Sequence, residues 1–259
     1  MSSHVRHLAD RSVIRIAGPD TSEFLQRVIT TDIPAISPGE IKSGALLTPQ
    51  GKVIADFLMH GTKDGIDLDI WREAAESLVK RLTLYRLRAK AEIVLDSNLA
   101  VIVGEGAADP RSPSLPHRSI QPASSGFEPG DSEQTAAEIR SGVPALGRDY
   151  FETEVFPTDV NLDLYGGIAW RKGCFIGQEV LSRMKRRGTI RKRTVKIEAK
   201  NTLLKQGDIL LAGDRPLGTV TSAYDTTALA IVRLDRLEVA EVQPSIGGIA
   251  VNIIQPELD

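Results

Sequence analysis

Cys174 is the only cysteine in 259 residues, and it stands in "KGCFIGQEV" (172–180), between glycines, behind a lysine and ahead of Gln178 and Glu179. A lone thiol forms no internal disulfide, which agrees with a reducing compartment. It supplies no metal centre either. Zinc or a resident iron–sulfur cluster needs several convergent ligands, and the histidines at 4, 7, 60 and 117 are scattered. Cys–His catalysis would need one of them to fold back onto the thiol. Electrostatics say more. "GQEVLSRMKRR" reads as a short helix after Gly177, with Glu179 and Arg183 as an i,i+4 pair. Cys174 then lies just before a helix N-terminus and beside Lys172. Each favours thiolate over thiol, hence a lowered pKa and raised reactivity. Gly173 and Gly177 allow a tight turn or a close approach to a ligand. The competing reading is an inert core cysteine, because free Cys is among the most buried residue types.

The formal net charge is −2, so the whole chain has no bias towards nucleic acid or membrane. Charge is uneven, however. Arg171 to Arg193 holds nine Lys/Arg against one acid, Glu179, a local +8 that leaves −10 for the rest. Either an anionic partner meets this segment or it is a solvated basic face. Apolar content of 41% fits a globular chain able to bury a sizeable core. The start "MSSHVRHLAD" lacks an apolar signal core, and no apolar run approaches the ~18 residues of a membrane span. The expectation is a soluble, cytoplasmic protein.

Several elements must position the cysteine. "RSVIRIAG" (11–18) alternates as a strand, and "DTSEFLQRVIT" (20–30) reads as a helix capped by Asp20 or Thr21. "SGALLTPQGKVIADFLMHG" (43–61) reads as two strands around the turn Thr48-Pro49-Gln50-Gly51. Strand 65–71 and a helix over 72–87 follow, the helix with Ala75, Leu78, Val79, Leu82 and Tyr85 on one stripe. "AEIVLD" and "LAVIVGE" are further strands. Residues 110–130, with five prolines and five serines, read as a covering loop. A helix over 132–142 starts at Ser132 and closes at Gly142. From Arg193 onward, short strands with Gly turns predict a small antiparallel barrel or sandwich. No repeats appear.

"KGCFIGQEV" resembles the K-G-C-[FY]-x-G-Q-E signature of the YgfZ family, the folate-binding relatives of the glycine-cleavage aminomethyltransferase GcvT. "RSVIRIAGPDTSEFLQRVITTDI", "GALLTPQGKVIADFLM", "LYRLRAKAEI", "FPTDVNLDLYGGIAWRKGC" and "PLGTVTSAY…ALAIVRLD" resemble family segments in the same order. The family includes factors that assist maturation of [4Fe–4S] proteins and a bacterial member linked to tRNA modification. The resemblance implies an α+β chain in a three-part ring around a central hole. Residues 1–44 and 139–192 would form one part, 45–138 an inserted ferredoxin-like α/β unit, and 193–259 the C-terminal β-barrel. It places the working thiol at Cys174, with Lys172, Gly173, Gly177, Gln178, Glu179 and Arg183 around it.

The resemblance also implies tetrahydrofolate or a derivative in the cavity. Folate needs a flat pocket, a carboxylate or amide for the pterin's donor edge, and cations for its glutamate tail. Gln50 or Asp56 could meet the pterin, Tyr85 and Trp170 could be flat walls, and Arg86, Arg88, Lys172 or Arg171 could meet the tail. Tyr85 has an alternative place in the core, and Arg86 and Arg88 on a solvated edge. Thr30, Thr31 and Asp32 could cap the first helix or line the cavity. The transferases usually carry paired acids where this chain has Ala55-Asp56, which argues against classical aminomethyl transfer. The leading expectation is therefore a folate-binding accessory factor for [4Fe–4S] protein maturation or repair, able to share a transient cluster with a partner. A folate-dependent aminomethyltransferase is the alternative. Iron–sulfur assembly or client proteins could dock on the basic segment 183–193. An RNA-binding module is less favoured, because that run has no aromatics for base stacking.

Overall fold

Three bodies of β-structure divide the chain in the computed structural model, which describes residues 5–124 and 126–257. Met1 to His4, Ser125, Leu258 and Asp259 lie outside the described residues. In chain order come β1 (Arg6–His7), β2 (Arg11–Ala17), α1 (Thr21–Val28), β3 (Ile41–Leu47), β4 (Val53–Gly61) and β5 (Gly65–Trp71). They are followed by α2 (Arg72–Arg86), β6 (Glu92–Leu95), β7 (Leu99–Ala107), β8 (Arg118–Pro122), β9 (Glu128–Pro129), α3 (Asp131–Ser141) and α4 (Gln178–Arg186). The C-terminal body holds β10 (Lys192–Ala199), β11 (Ile209–Ala212), β12 (Arg215–Tyr224) and β13 (Thr227–Arg233). It ends with α5 (Leu234–Leu237), β14 (Ser245–Ile246) and β15 (Ile249–Ile254).

The first body is a five-stranded sheet in the order β3-β4-β5-β2-β6, with antiparallel neighbours throughout. Phe24, Leu25 and Val28 of α1 and Ala75, Leu78 and Leu82 of α2 bury their apolar stripes against it. The second is a four-stranded sheet, β8-β7-β1-β9, and the third is a closed six-stranded barrel. Val195, Ile197, Leu210, Val220, Ala230 and Val232 fill the barrel, as alternation along its strands dictates. The fold is thus mixed α+β with a C-terminal barrel, as the sequence predicts.

Details depart from the sequence pattern for identifiable reasons. Strand β3 runs across the boundary expected at 44/45, α3 runs across the one at 138/139, and residues 45–138 contribute to two sheets. Long-range pairing of β2 with β5 and of β1 with β7 outweighs chain order. The covering loop expected over 110–130 contains β8 and β9; these are edge strands, where proline's missing N–H costs no ladder bond. Helix α1 stops at Val28 because Ile29 turns extended and bridges to Leu46. Asp20 precedes α1 but its carboxylate accepts from the Lys90 N–H at 2.7 Å instead of capping the helix. Helix α3 begins after Gly130, not at Ser132, and closes at Gly142 in the left-handed region as expected. No helix among the described residues is long and apolar enough to cross a membrane.

Buried charges join the bodies. Asp69 on β5 accepts from Arg11 of β2 at 2.6 Å and from Arg118 of β8 at 2.5 Å. Asp109 meets Arg111 in a bidentate pair at 2.9 and 2.7 Å, and Arg111 continues to Glu138 of α3 at 3.0 Å. Glu138 accepts from Arg148 at 2.8 Å, and Arg148 from there reaches Asp149 at 2.8 Å. Asp149 finally accepts from Thr221 and Ser222 of barrel strand β12 at 2.7 and 2.5 Å. Burial alone would raise these carboxyls, but the facing guanidiniums outweigh it and hold Asp109 and Glu138 at about 2. Asp69 is lowered for the same reason.

Removing one partner of a buried pair leaves the other charge without compensation. We expect Asp69→Ala to destabilise the protein by ~3–5 kcal/mol in urea titration, whereas Arg27→Ala, in an exposed pair with Glu23, should cost no more than ~1 kcal/mol. The depressed acids also set a pH dependence. Their stabilisation is complete above the ordinary values of 3.8 and 4.5 and is lost as pH falls towards about 2, because the unfolded chain binds protons first. Urea midpoints measured down that range should fall.

Candidate functional site

The segment ahead of Cys174 is fixed by hydroxyls and backbone. Thr30 and Thr31, both buried, follow α1. The Thr30 hydroxyl donates to Gly167 O at 2.6 Å and accepts the Ala45 N–H at 2.9 Å. The Thr31 hydroxyl donates to Ser43 O at 2.6 Å, and the Ala169 N–H reaches Thr30 O at 2.9 Å. These two threonines therefore fasten the chain at 167–169 to strand β3, and do not line a ligand cavity.

Lys172 continues the attachment. Its ammonium donates to Thr31 O at 2.6 Å, to Ile29 O at 2.8 Å and to Gln26 Oε1 at 3.4 Å, all at the end of α1 where carbonyls lack helical partners. Gln26 is held in turn, donating to Asp32 at 2.7 Å and accepting from the Ile33 N–H at 2.8 Å. Burial pushes Lys172 down to about 8, while Asp32 opposes the shift. Its charge is thus committed to α1 and is not free for a folate tail.

On the far side of Cys174, Gly177 adopts φ 81° as the residue before α4. A Cβ there would lie 2.7 Å from Thr48 O and 3.1 Å from Gly51 Cα. Gly51, at φ 80°, would bring its own Cβ to 3.2 Å from Val180 of α4. The "TPQG" turn and the "GQEV" helix start therefore meet glycine to glycine, a fit that any side chain would spoil. Gln178 donates to Lys172 O at 3.4 Å and draws the two ends of the loop together. Cys174, four residues ahead of α4, is exposed between these anchors. The core-filler reading is thereby removed. Phe175 beside it is the residue that enters the core.

The other motif residues are peripheral. Glu179 and Arg183 pair at 2.9 Å on the solvent side of α4, as their spacing predicts. Gly173 has open space around its Cα, and Arg171 is exposed. Among the described residues, no three His, Cys, Asp or Glu side chains converge as metal ligands.

The residues expected to hold folate do not form one group. Tyr85, Arg86 and Arg88 line a cleft of about 960 Å³ together with Phe24 and Arg27 of α1. Arg86 donates to Ala91 O at 3.0 Å through one terminal nitrogen, while its buried Nε has no partner. Leu87, within the same wall, holds φ 51°, a strained conformation for a branched side chain. Asp20 and Glu23 also line the cleft, and Glu23 takes Arg27 at 2.9 Å. Its free cations are therefore Arg86 and Arg88 on the α2 side, where Tyr85 and the orphaned donor suit a flat anionic ligand. Gln50 is exposed at the turn, and Trp170 carries Lys185 over its ring at 4.2 Å.

Asp56 also stands apart. It shares a cavity of only about 10 Å³, room for about one water, with Arg11, Arg111, Tyr150 and the unpartnered hydroxyl of Ser43. Burial raises its pKa against the pull of Arg11, and the neighbouring Tyr150 is raised far above its usual value by burial and by Asp56. Strand β4 is otherwise buried from Val53 to His60, Asp56 is its one half-buried residue there, and Arg11 and Arg111 of the ion network stand beside it.

This arrangement of sheets and barrel is the GcvT-like fold. The crystal structure of glycine cleavage system aminomethyltransferase T from Bartonella henselae superimposes with a TM-score of 0.75 over 98% of this chain and 85% of that one, at 15% identity. Residues 191–258 match the CAF17 C-terminal beta-barrel domain. In sequence the chain is similar to IBA57 and YgfZ proteins. An iron-sulfur cluster assembly factor IBA57 homolog from Pyricularia oryzae is 32% identical over 72% of this chain and 55% of its own. The tRNA-modifying protein YgfZ of Edwardsiella ictaluri is 28% identical over 71% of this chain and 68% of its own. The chain spans about half the length of the fungal relatives it matches.

The two glycines of the motif should separate by experiment. Gly177→Ala, forced against backbone at positive φ, is expected to destabilise by ~1–3 kcal/mol. Gly173→Ala should stay within ~0.5 kcal/mol. Thermal melts of the two variants decide it.

Proposed function

We propose that this protein is a folate-binding accessory factor for the maturation or repair of [4Fe–4S] proteins, with Cys174 as its working thiol. The observation that carries the reading is an exposed thiol on a loop anchored at one end by the Lys172 ammonium on α1 and at the other by close glycine packing. A chain that needed only a small apolar filler would not fix a cysteine facing solvent. The relatives' names, an iron-sulfur cluster assembly factor and a tRNA-modifying protein, agree with it. Among the described residues no three possible metal ligands converge, so a cluster handled at Cys174 would take further ligands from the partner that carries it.

Folate would lie in the cleft between α1 and the end of α2. Tyr85 would contact the pterin, and Arg86 and Arg88 the tail carboxylates. Folate supplies a one-carbon carrier when bound. This chain's residues bind and orient it.

In a deletion strain, Cys174→Ser and Cys174→Ala should both fail to restore [4Fe–4S] enzyme activity, while changing stability by no more than ~0.5 kcal/mol, as exposed positions do. A thiol-free variant that restores activity in full would refute the role of Cys174. For the cleft, folinic acid should bind in titration calorimetry, more weakly at high salt and about tenfold more weakly in Arg88→Glu. No heat at any salt concentration would overturn the cleft assignment.

A further inference from the structure

The basic run becomes a surface in three dimensions. Lys185 and Arg186 of α4, and Arg187, Arg191 and Lys192 after it, are all exposed. Few acids among the described residues face them: Asp235 lies near Arg191 and Asp159 near Lys192. Glu179 is taken by Arg183, Asp235 pairs with Arg233 at 2.6 Å, and Arg186 reaches only the backbone oxygen of Ser182. Arg193, the last of the run, turns inward to Asp163 at 2.7 Å and belongs to the core. Lys52, behind the "TPQG" turn, also lies near Lys192, with Asp159 close to both, and the Lys52 ammonium donates to Glu154 O at 2.9 Å. The contact of Gly51 with Val180 places that turn against α4. The Cys174 loop leads directly into the same helix.

We propose that this face docks an acidic surface of a protein partner and thereby brings the partner's cluster ligands to Cys174. The inference rests on the function proposed above. Charge complementarity is the first argument, since a cationic patch steers an oppositely charged surface into register. The second is location, because a cluster shared with a partner requires a docking face beside the thiol. Single-stranded RNA would need stacking platforms, and the local aromatics do not provide them. Trp170 is covered by Lys185, and Phe175 is buried. Helix α4, nine residues and roughly 14 Å long, also offers a phosphate chain only a short track.

The test uses the full chain and an Arg186→Glu/Arg187→Glu variant, whose melting temperature should match wild type. Both are immobilised, exposed to lysate from the deletion strain with and without ribonuclease, and the bound proteins identified by mass spectrometry and iron content. Wild type is expected to retain acidic iron–sulfur proteins, regardless of ribonuclease, with at least tenfold loss in the variant or at about 0.5 M salt. Equal retention by the variant overturns the proposal, and ribonuclease-sensitive retention replaces the protein partner with RNA. Complementation separates this from the function itself. If wild type fails to restore [4Fe–4S] enzymes, the function falls; if wild type and the variant restore them equally, only the docking face does.

Discussion

A chain of buried, alternating charges is the constraint on which the other features depend. Four arginines, Arg11, Arg111, Arg118 and Arg148, interleave with four carboxylates, Asp69, Asp109, Glu138 and Asp149. Taking any one of these ions out of water alone would cost several kcal/mol. Each is tolerable only when its neighbours are in place, and those neighbours come from both sheets, from α3 and from the 148–149 turn. The barrel closes the end of the chain with two hydroxyls on Asp149. A misdocked sheet or barrel would strand a buried charge, so the network selects one arrangement of the three bodies. An apolar junction of the same size would attract them without choosing their orientation.

A second pin works in the same way. Arg193 at the head of the barrel donates to Thr158 O at 3.0 Å and pairs with Asp163, while Asn161, left-handed at φ 61°, donates to Thr194 O at 2.9 Å. The stretch 157–163 is thus locked onto β10 before the chain enters the segment held by Thr30 and Thr31. Rigidity is handed along the chain in this order: barrel, turn, threonine bonds, Lys172. The loop at its end can afford to be exposed because both its ends are held.

Periodicity and turn chemistry made much of this legible. Strands β2 to β7, α2, α4, the Gly142 stop and the barrel follow from alternation, helical spacing and glycine placement, all local properties. The Cys174 motif is local as well, which is why its glycines and its i,i+4 pair were found. The ion network was not, because its partners lie far apart in sequence: Arg11 is 58 residues from Asp69, and Asp149 is 73 from Ser222. The only hint was the pair of acids, Asp67 and Asp69, on an otherwise apolar strand. Lys172 was misread for the same reason. Beside a cysteine it looked like a free cation, and only the end of α1, more than 140 residues earlier, shows that it is committed. Asp56 was correctly singled out as unusual. Its cause is burial beside Arg11 and Tyr150, and a ligand is not required to explain it.

That placement of Asp56 bears on which chemistry this scaffold retains. Where the transferases usually carry paired acids, the first position here is Ala55, 1% exposed, and the second is Asp56, half-buried beside Arg11, Arg111 and Tyr150. The first position therefore carries no acid, and the carboxyl at the second faces the ion network. Acid–base chemistry needs a titratable group within hydrogen-bond reach of the reacting atom, and the structure instead uses this carboxyl internally. The nucleophile that remains in contact with solvent is Cys174. A thiol is a soft ligand and a poor general acid, suited to metal and sulfur exchange with a partner rather than to proton transfer along a bound amine. The transferase-like backbone thus presents here a solvent-exposed thiol, with Ala55 in place of the first acid.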